Sequence, residues 1–294
     1  MARPQAKMSW LILGGGQLAK SLETELTRSN LSFNSLNHSE LDISDSYRVN
    51  EILLTERPSV VVNAAAWTDV DLAEIHETEA RTVNALGAEI LAKASSQIKS
   101  TFIQLSTDYV FSGLSEIPWN ENALVAPGSA YGRTKAEGEH RVLKAFPEGT
   151  KVIRTAWLYS HHGKNFVKTI AKIAIDESNE IEVVSDQIGQ PTSAYDLAAQ
   201  IRTLVEVNSN PGIYHGTNAG SASWFEFARE IFVLCGANPH RVKPCDSIKK
   251  AQLANRPKYS VLGHERWLQE GIKPMRNWRE ALEDALPSII SDLN

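Results

Sequence analysis

The 294-residue chain has only two cysteines, a single-digit share of aromatic residues (7%) and no block of basic residues. It also has no uninterrupted apolar run of the ~20 residues that a membrane helix needs. Each scarcity excludes something. Cys235 and Cys245 stand in neither a CxxC nor a finger spacing, so they supply no disulfide framework and no zinc site, and they suit a reducing cytoplasm. The opening residues, MARPQAKM, lack the apolar stretch of a signal peptide. Thirty Lys and Arg against 35 Asp and Glu give a net charge of -5. That balance excludes the phosphate neutralisation on which sequence-independent nucleic-acid binding depends. No HExxH is present and Ser106 is not in GxSxG, so zinc-protease and hydrolase chemistry have no support. What remains, at 42% hydrophobic, is an ordinary globular composition, long enough for one large domain or two.

The first half alternates apolar runs with amphipathic stretches. SWLILG (9–14), LSFNSL (31–36), SVVVNAAA (59–66), STFIQLS (100–106) and KVIRTAW (151–157) read as strands. Residues 17–28, 45–56, 78–98 and 130–146 read as helices. Near-continuous apolar strands between helices predict a parallel sheet covered on both faces. The second half is less regular. Helices are expected at 165–176, 194–206 and 224–235, strands at 180–184 and 212–218, with prolines at 239, 244, 257 and 274 breaking the rest. Ser223–Glu226 has capping-box spacing, and Asn277–Glu280 resembles it. Trp224, Trp267 and Trp278 are expected to pack in this lobe, and His161–His162 to be solvated.

Three short patterns carry chemistry. Gly14, Gly16 and Ala19 spell GxGxxA between the first strand and the first helix, where backbone amides and a helix N-terminus suit a diphosphate; a plain glycine turn gives the same pattern. The carboxylate expected about 20 positions later, for the ribose 2'-hydroxyl of NAD, is replaced by Asn37–His38, which leaves a 2'-phosphate admissible. Tyr131 and Lys135 fall one turn apart on a helix, where an ammonium can lower the pKa of a phenol; an ordinary amphipathic pair has the same spacing. Ser106–Thr107–Asp108–Tyr109 follows a buried-looking strand, at the end where ligands bind in open parallel sheets, or simply makes a turn.

Together and in this order, the patterns resemble the extended short-chain dehydrogenase/reductases. The chain is most similar to the dTDP-4-dehydrorhamnose reductase family, through GGGQLA (14–19), LDIS (41–44), VVNAAAWTDVDLAE (61–74), STDYVF (106–111), YGRTKAEGE (131–139), RTAWLY (154–159), DQIGQPT (186–192) and RPKYSVL (256–262). The resemblance spans almost the whole chain and implies an α/β fold. Its core is a Rossmann-like doubly wound parallel sheet, joined to a smaller C-terminal α+β substrate-binding lobe. The dinucleotide-binding part is expected over 8–160, with 194–218 returning to the sheet. The sugar-nucleotide lobe is expected over 161–193 and 219–294.

The implied activity is NADP(H)- or NAD(H)-dependent reduction of the C4 ketone of a dTDP-4-keto-6-deoxy sugar. Tyr131 would donate the proton, Thr107 would orient the ketone oxygen, and Lys135 would tune Tyr131 and hold the ribose. Gly14, Gly16, Gln17, Leu18, Asn37, Asp42, Ile43, Ala64, Ala65 and Ala66 would contact the cofactor. Thr68, Val70, Asp108, Tyr109, Trp157, Asn165, Gln187 and Arg256 would contact the sugar nucleotide, although for Arg256 a surface salt bridge competes with a diphosphate contact. The glycine loop is one residue shorter than the usual GxxGxxG, which puts the placing of the phosphate cradle in question. A homodimer is implied as well. Magnesium, which members often hold, has no matching carboxylates here, so no metal is expected. Two rivals share these motifs: a reductase of a different nucleotide 4-keto sugar, and a non-catalytic dinucleotide-binding regulatory subunit such as the one that serves methionine adenosyltransferase.

Overall fold

The computed structural model describes residues 8–175, 180–249 and 252–293. Strands β1 (Ser9–Leu13), β2 (Ser32–Leu36), β3 (Val60–Asn63), β4 (Thr101–Thr107) and β5 (Thr150–Thr155) join a sixth strand, Gly212–His215, in one sheet. The order is sixth strand, β5, β4, β3, β1, β2, and every pairing is parallel.

Alternation along the strands explains why both faces are covered. Successive side chains point to opposite faces. Trp10 and Ile12 of β1 therefore pack with Leu18, Leu22 and Leu26 of helix Gln17–Arg28 and with Leu197, Ile201 and Leu204 of helix Ala194–Glu206. Leu11 and Leu13 pack on the other side with Val49 and Leu53 of helix Ser46–Glu56, Leu91 of helix Ala88–Ile98 and Val142 of helix Ala130–Ala145. Each fully buried leucine contributes about 1.5–3 kcal/mol, so the two stripes hold the helices far more strongly than helix propensity does. A separate apolar cluster joins helices Phe166–Ile175, Trp224–Leu234 and Trp278–Ser291, with Phe227, Phe232, Trp278 and Leu282 at its centre. A parallel pair, Ile181–Val184 with Val242–Cys245, flanks that cluster. Pro244, expected only as a breaker, sits inside the second of these strands.

The chain runs from β1 outward to β2, then back past β1 to β3. That reversal opens a crevice at the carboxyl ends of the strands, where ligands of doubly wound sheets bind.

Several local expectations are sharpened. Residue 176, the expected end of the third-quarter helix, lies outside the described residues. The run read as one helix over 78–98 is helical from Glu77 to Ile98, but with a π-helical turn at Thr82–Gly87. Within that turn Asn84 faces inward: its amide accepts from Trp67 N (2.9 Å) and donates to Trp67 O (3.2 Å) and Thr134 Oγ1 (3.1 Å). The wider turn thus ties the loop after β3 to the helix carrying Tyr131. The capping box at Ser223–Glu226 is complete, with both reciprocal bonds made. At Asn277 only the cap forms, to Arg279 N, and Glu280 does not return a bond.

Candidate active site

The crevice holds a cavity of about 580 Å3 lined from four strand ends. Gly15–Leu18 follow β1, Ala64 and Ala66 follow β3, Leu105–Tyr109 close β4, and Thr155–Leu158 close β5. Helix Ala130–Ala145 adds Tyr131 and Lys135, and Thr68, Val70, His162–Lys164 and Trp224 complete the wall.

The glycine turn is demanded by its neighbours. Gly14 has φ of 124°, and a Cβ there would lie 2.9 Å from the backbone of Ala64 and Ala65. Its amide donates to Leu36 O (2.8 Å), and Ala64 N donates to Leu13 O (2.8 Å), which clamps the turn between β2 and β3. Gly16 is different: a Cβ there would meet no protein atom within 4 Å. It caps helix Gln17–Arg28 without a side-chain bond, and no acidic residue stands in the first turn. Free amides, a positive dipole end and open space beside a glycine fit a dinucleotide diphosphate.

Gln17 fastens the far wall. Its carbonyl accepts from Asn165 Nδ2 (2.9 Å) and Ser160 Oγ (3.2 Å), and its amide donates to Leu158 O (3.2 Å). Asn165 also donates to Ser160 O (2.7 Å) and caps Lys168 N (3.0 Å). With both ends of its amide engaged, Asn165 holds Gln17 and the loop and does not line the cavity. Asn37, Asp42 and Ile43 also lie off the cavity wall. Asn37 Oδ1 accepts from Ser39 N (2.8 Å), Asp42 Oδ1 accepts from Ser44 N (2.9 Å), and Ile43 packs into the core. The hydrogen bonds from Ser44 hold the Asp42 carboxyl below its usual range. A carboxylate does stand just beyond β2, in Glu40, whose Oε2 accepts from Asn37 N (2.9 Å).

The reactive groups gather at the ends of β4 and of the Tyr131 helix. Ser129 caps that helix by accepting from Gly132 N (3.1 Å). Burial pushes the Tyr131 phenol up to about 12, with a hydrogen bond to Thr107 opposing it. Lys135 is buried and donates from Nζ to Leu105 O (2.6 Å). Burial pulls its ammonium down to about 8, and Glu139 opposes that. The expected lowering of the phenol by Lys135 is therefore not found: the ammonium is spent on a main-chain carbonyl, and desolvation dominates at the phenol. At neutral pH the phenol keeps the proton that a ketone reduction takes up, while desolvation makes it a weaker acid than free tyrosine. Thr107 Oγ1 donates to Asp108 Oδ1 (3.0 Å) and accepts from Tyr109 N (3.2 Å). Asp108 is 2% exposed, its Oδ2 has no hydrogen-bond partner, and burial lifts it to about 6. The rings of Tyr109 and Tyr131 meet edge to face at 5.7 Å.

Trp157 closes one end of the cavity with backbone φ of 44°, a strained setting for a bulky residue. Its indole stacks on Trp224 at 3.6 Å, and a Cβ on Gly189 would strike the ring at 2.7 Å. Trp224 thus lines the cavity while packing on the lobe cluster, and Trp278 is buried in that cluster as expected. Trp267 is buried too, but in the sheet core beside Tyr214 and not in the lobe. Gln187 and Arg256 line an adjoining apolar cavity with Phe166, Ile170, Val183 and the other face of Trp224. The salt-bridge alternative for Arg256 is the one found: it grips both oxygens of Asp71 (3.1 and 2.9 Å).

Sequence reasoning missed Ser106 and Thr155, whose buried hydroxyls are unpartnered and whose residues line the cavity. Both end strands at the carboxyl edge, the same signal that identified Thr107. It also missed His162, expected as solvated, which is half-buried and lines the cavity. Among the described residues no cluster of His, Cys, Asp and Glu could hold a metal ion.

The RmlD substrate binding domain family model matches residues 8–290. The chain is 41% identical over 285 residues to a dTDP-4-keto-6-deoxy-D-glucose reductase of Streptomyces niveus, covering 96% of this chain and 98% of the relative. It is 40% identical to a dTDP-4-dehydrorhamnose reductase of Streptomyces griseus, covering 97% and 95%. A crystal structure of dTDP-4-dehydrorhamnose reductase from Bacillus anthracis in complex with NADP superimposes with a TM-score of 0.91 at 36% identity, covering 96% and 99%.

Proposed function

The chain belongs to the RmlD substrate binding domain family, and from that premise we propose that it reduces the C4 ketone of a dTDP-4-keto-6-deoxy sugar with NADPH or NADH. The substrate that best fits the reading is dTDP-4-dehydro-L-rhamnose, giving dTDP-L-rhamnose. The observation that carries it is the convergence of Thr107, Tyr131 and Lys135 on one cavity with the amino end of helix Gln17–Arg28.

A bound dihydronicotinamide supplies the hydride for the C4 carbon. The remaining work falls to side chains of the cavity. Tyr131, protonated at neutral pH, donates its proton to the C4 oxygen, so ketone, hydride and proton together give the alcohol. Lys135, with two ammonium hydrogens beyond the one given to Leu105 O, would hold the nicotinamide ribose. Thr107 orients the ketone oxygen. Thr68, Val70, Asp108, Tyr109 and Trp157 shape the space around the sugar. The adjoining apolar cavity with Gln187 and Trp224 suits a nucleotide base, and Arg256 serves there by fixing the wall through Asp71. Residues 161–193 and 219–293 form the sugar-nucleotide lobe in this reading, a homodimer in solution is expected, and the setting is cytoplasmic. Among the described residues no helix is long and apolar enough to cross a membrane.

Loss of NADPH or NADH absorbance on adding dTDP-4-dehydro-L-rhamnose tests the activity. A second reading, with a different dTDP-4-keto-6-deoxy sugar as substrate, is favoured by the Streptomyces niveus relative and is separated by running both sugars side by side. A binding-only role has no use for the buried acid, hydroxyl and ammonium together.

Cofactor preference gives a further prediction. Glu40 places a carboxylate beside the end of β2, where it favours a ribose 2'-hydroxyl over a 2'-phosphate. Glu40→Gln should shift the ratio of kcat/KM for NADPH over NADH upward by roughly five- to tenfold, equivalent to about 1 kcal/mol. An unchanged ratio would remove Glu40 from the cofactor site.

A further inference from the structure

We infer that Asp108 sets the direction of the Thr107 hydroxyl, so that Thr107 donates to the reacting ketone oxygen only when the Asp108 carboxyl carries a proton. This rests on the reductase reading above and concerns how that site is armed.

The argument is a count of hydrogens and lone pairs. A threonine hydroxyl has one hydrogen and accepts two bonds. Thr107 Oγ1 already accepts from Tyr109 N (3.2 Å), and Asp108 Oδ1 stands 3.0 Å away. An ionised carboxylate only accepts. Beside it, the single hydrogen of Thr107 must point at Asp108. A ketone oxygen brought to this place would find the Thr107 hydrogen committed elsewhere.

Protonation of Asp108 reverses the chain. The carboxylic acid now donates to Thr107 Oγ1, which with Tyr109 N fills both of its acceptor positions. The Thr107 hydrogen is released towards the ketone oxygen. One proton on Asp108 therefore turns the Thr107 hydroxyl onto the reacting atom, beside the Tyr131 phenol that gives the proton. Asp108 itself gives up no proton in the reaction; Tyr131 does, and solvent restores it after product leaves.

The setting favours such a proton. Asp108 is almost wholly buried at the cavity wall with Oδ2 unpartnered. Hydrogen bonds from Ser260, whose main chain pairs with Ile188, and from Thr107 oppose the desolvation that lifts its carboxyl to about 6. Tyr131 faces it from its helix, and Tyr109 stands beside it with the Arg256–Asp71 pair beyond. No cation contacts Asp108 among the described residues. A sugar nucleotide filling the cavity removes water and brings negative charge, and both favour the protonated form further.

The test is the pH profile of kcat for wild type and Asp108→Asn with dTDP-4-dehydro-L-rhamnose and NADPH. Asparagine offers an N–H to Thr107 at every pH, as the protonated acid does. Wild-type kcat should fall as pH rises above about 6, or above a somewhat higher value in the filled cavity. In Asp108→Asn that falling limb should vanish, with kcat at acid pH within roughly tenfold of wild type and a raised KM from the altered sugar pocket. A falling limb that persists unchanged in Asp108→Asn, or turnover lost by more than about 100-fold at acid pH, would overturn the inference. Infrared difference spectra of wild type with NADP and dTDP-L-rhamnose give an independent readout. They should show a protonated-carboxyl band that titrates and is missing in Asp108→Asn; its absence at every pH also overturns the inference. If wild type turns over neither sugar, the reductase reading itself fails, which is a different result.

Discussion

Tyr131→Phe should lower kcat by about 10²- to 10⁴-fold, the usual contribution of a positioned general acid, while Kd for NADPH stays within about twofold of wild type. The phenol is buried and held protonated, and the change removes one oxygen and no packing surface. The ring keeps its edge contact with Tyr109. Stopped-flow turnover and fluorescence titration of NADPH separate the two quantities. Turnover like that of wild type would show that some other group supplies the proton. A joint loss of turnover and cofactor binding would mean that the hydroxyl holds the site together rather than doing chemistry.

The second large effect is on stability. Glu139 lies one turn beyond Lys135, and both of its oxygens bind Arg154 of β5, at 2.9 and 2.7 Å. Arg154 is 1% exposed. Its other contacts are Glu121 O (3.3 Å), the Phe111 ring (4.9 Å to the centroid) and His215 (3.4 Å). Burial, and then Arg154, hold His215 well below its usual pKa, so it stays neutral and does not compete for Glu139. Glu139→Gln keeps the volume but leaves a guanidinium buried without its counter-charge. The expected cost is roughly 3–5 kcal/mol in denaturant unfolding. The paired change Glu139→Leu with Arg154→Met should recover most of that loss, since a buried ion pair is worth little more than apolar side chains of equal volume. A midpoint for Glu139→Gln equal to that of wild type would contradict this account of how the Tyr131 helix is anchored to the sheet.

Much of this was legible in the sequence, for physical reasons. Strands buried on both faces carry consecutive rather than alternating apolar residues, so the VVV run of β3 and the Phe102–Ile103 pair of β4 declare themselves. Leu18, Leu22 and Leu26 repeat at helical spacing because one stripe meets the sheet. Gly14 is a glycine because no side chain fits against Ala64 and Ala65. The strand ends and the Tyr131–Lys135 spacing then place Thr107, Tyr131 and Lys135 around one cavity.

What escaped depends on tertiary closure. A π-turn over six residues leaves the polar and apolar pattern of a helix almost unchanged, so the inward face of Asn84 has no periodic signal. Asn165 is expected against the sugar nucleotide, yet its amide is consumed in holding Gln17. His162 belongs to a glycine–lysine loop that reads as solvated, and only the fold brings it to the cavity wall. Arg256 suits a phosphate by its chemistry, and only the fold reveals Asp71 already in its grip. The phenol of Tyr131 shows the same limit for electrostatics: spacing places the ammonium nearby, but burial decides the sign of the shift.

The central claim is that this cavity directs a hydride to C4 of a dTDP-4-keto-6-deoxy sugar. The most direct measurement uses NADPH carrying deuterium at the transferring position of the nicotinamide, with dTDP-4-dehydro-L-rhamnose as acceptor. The account predicts a dTDP-6-deoxyhexose with one deuterium, on C4, formed in step with cofactor oxidation by wild type and not by Tyr131→Phe over the same time. Folded protein that binds both ligands yet leaves C4 without deuterium would contradict it.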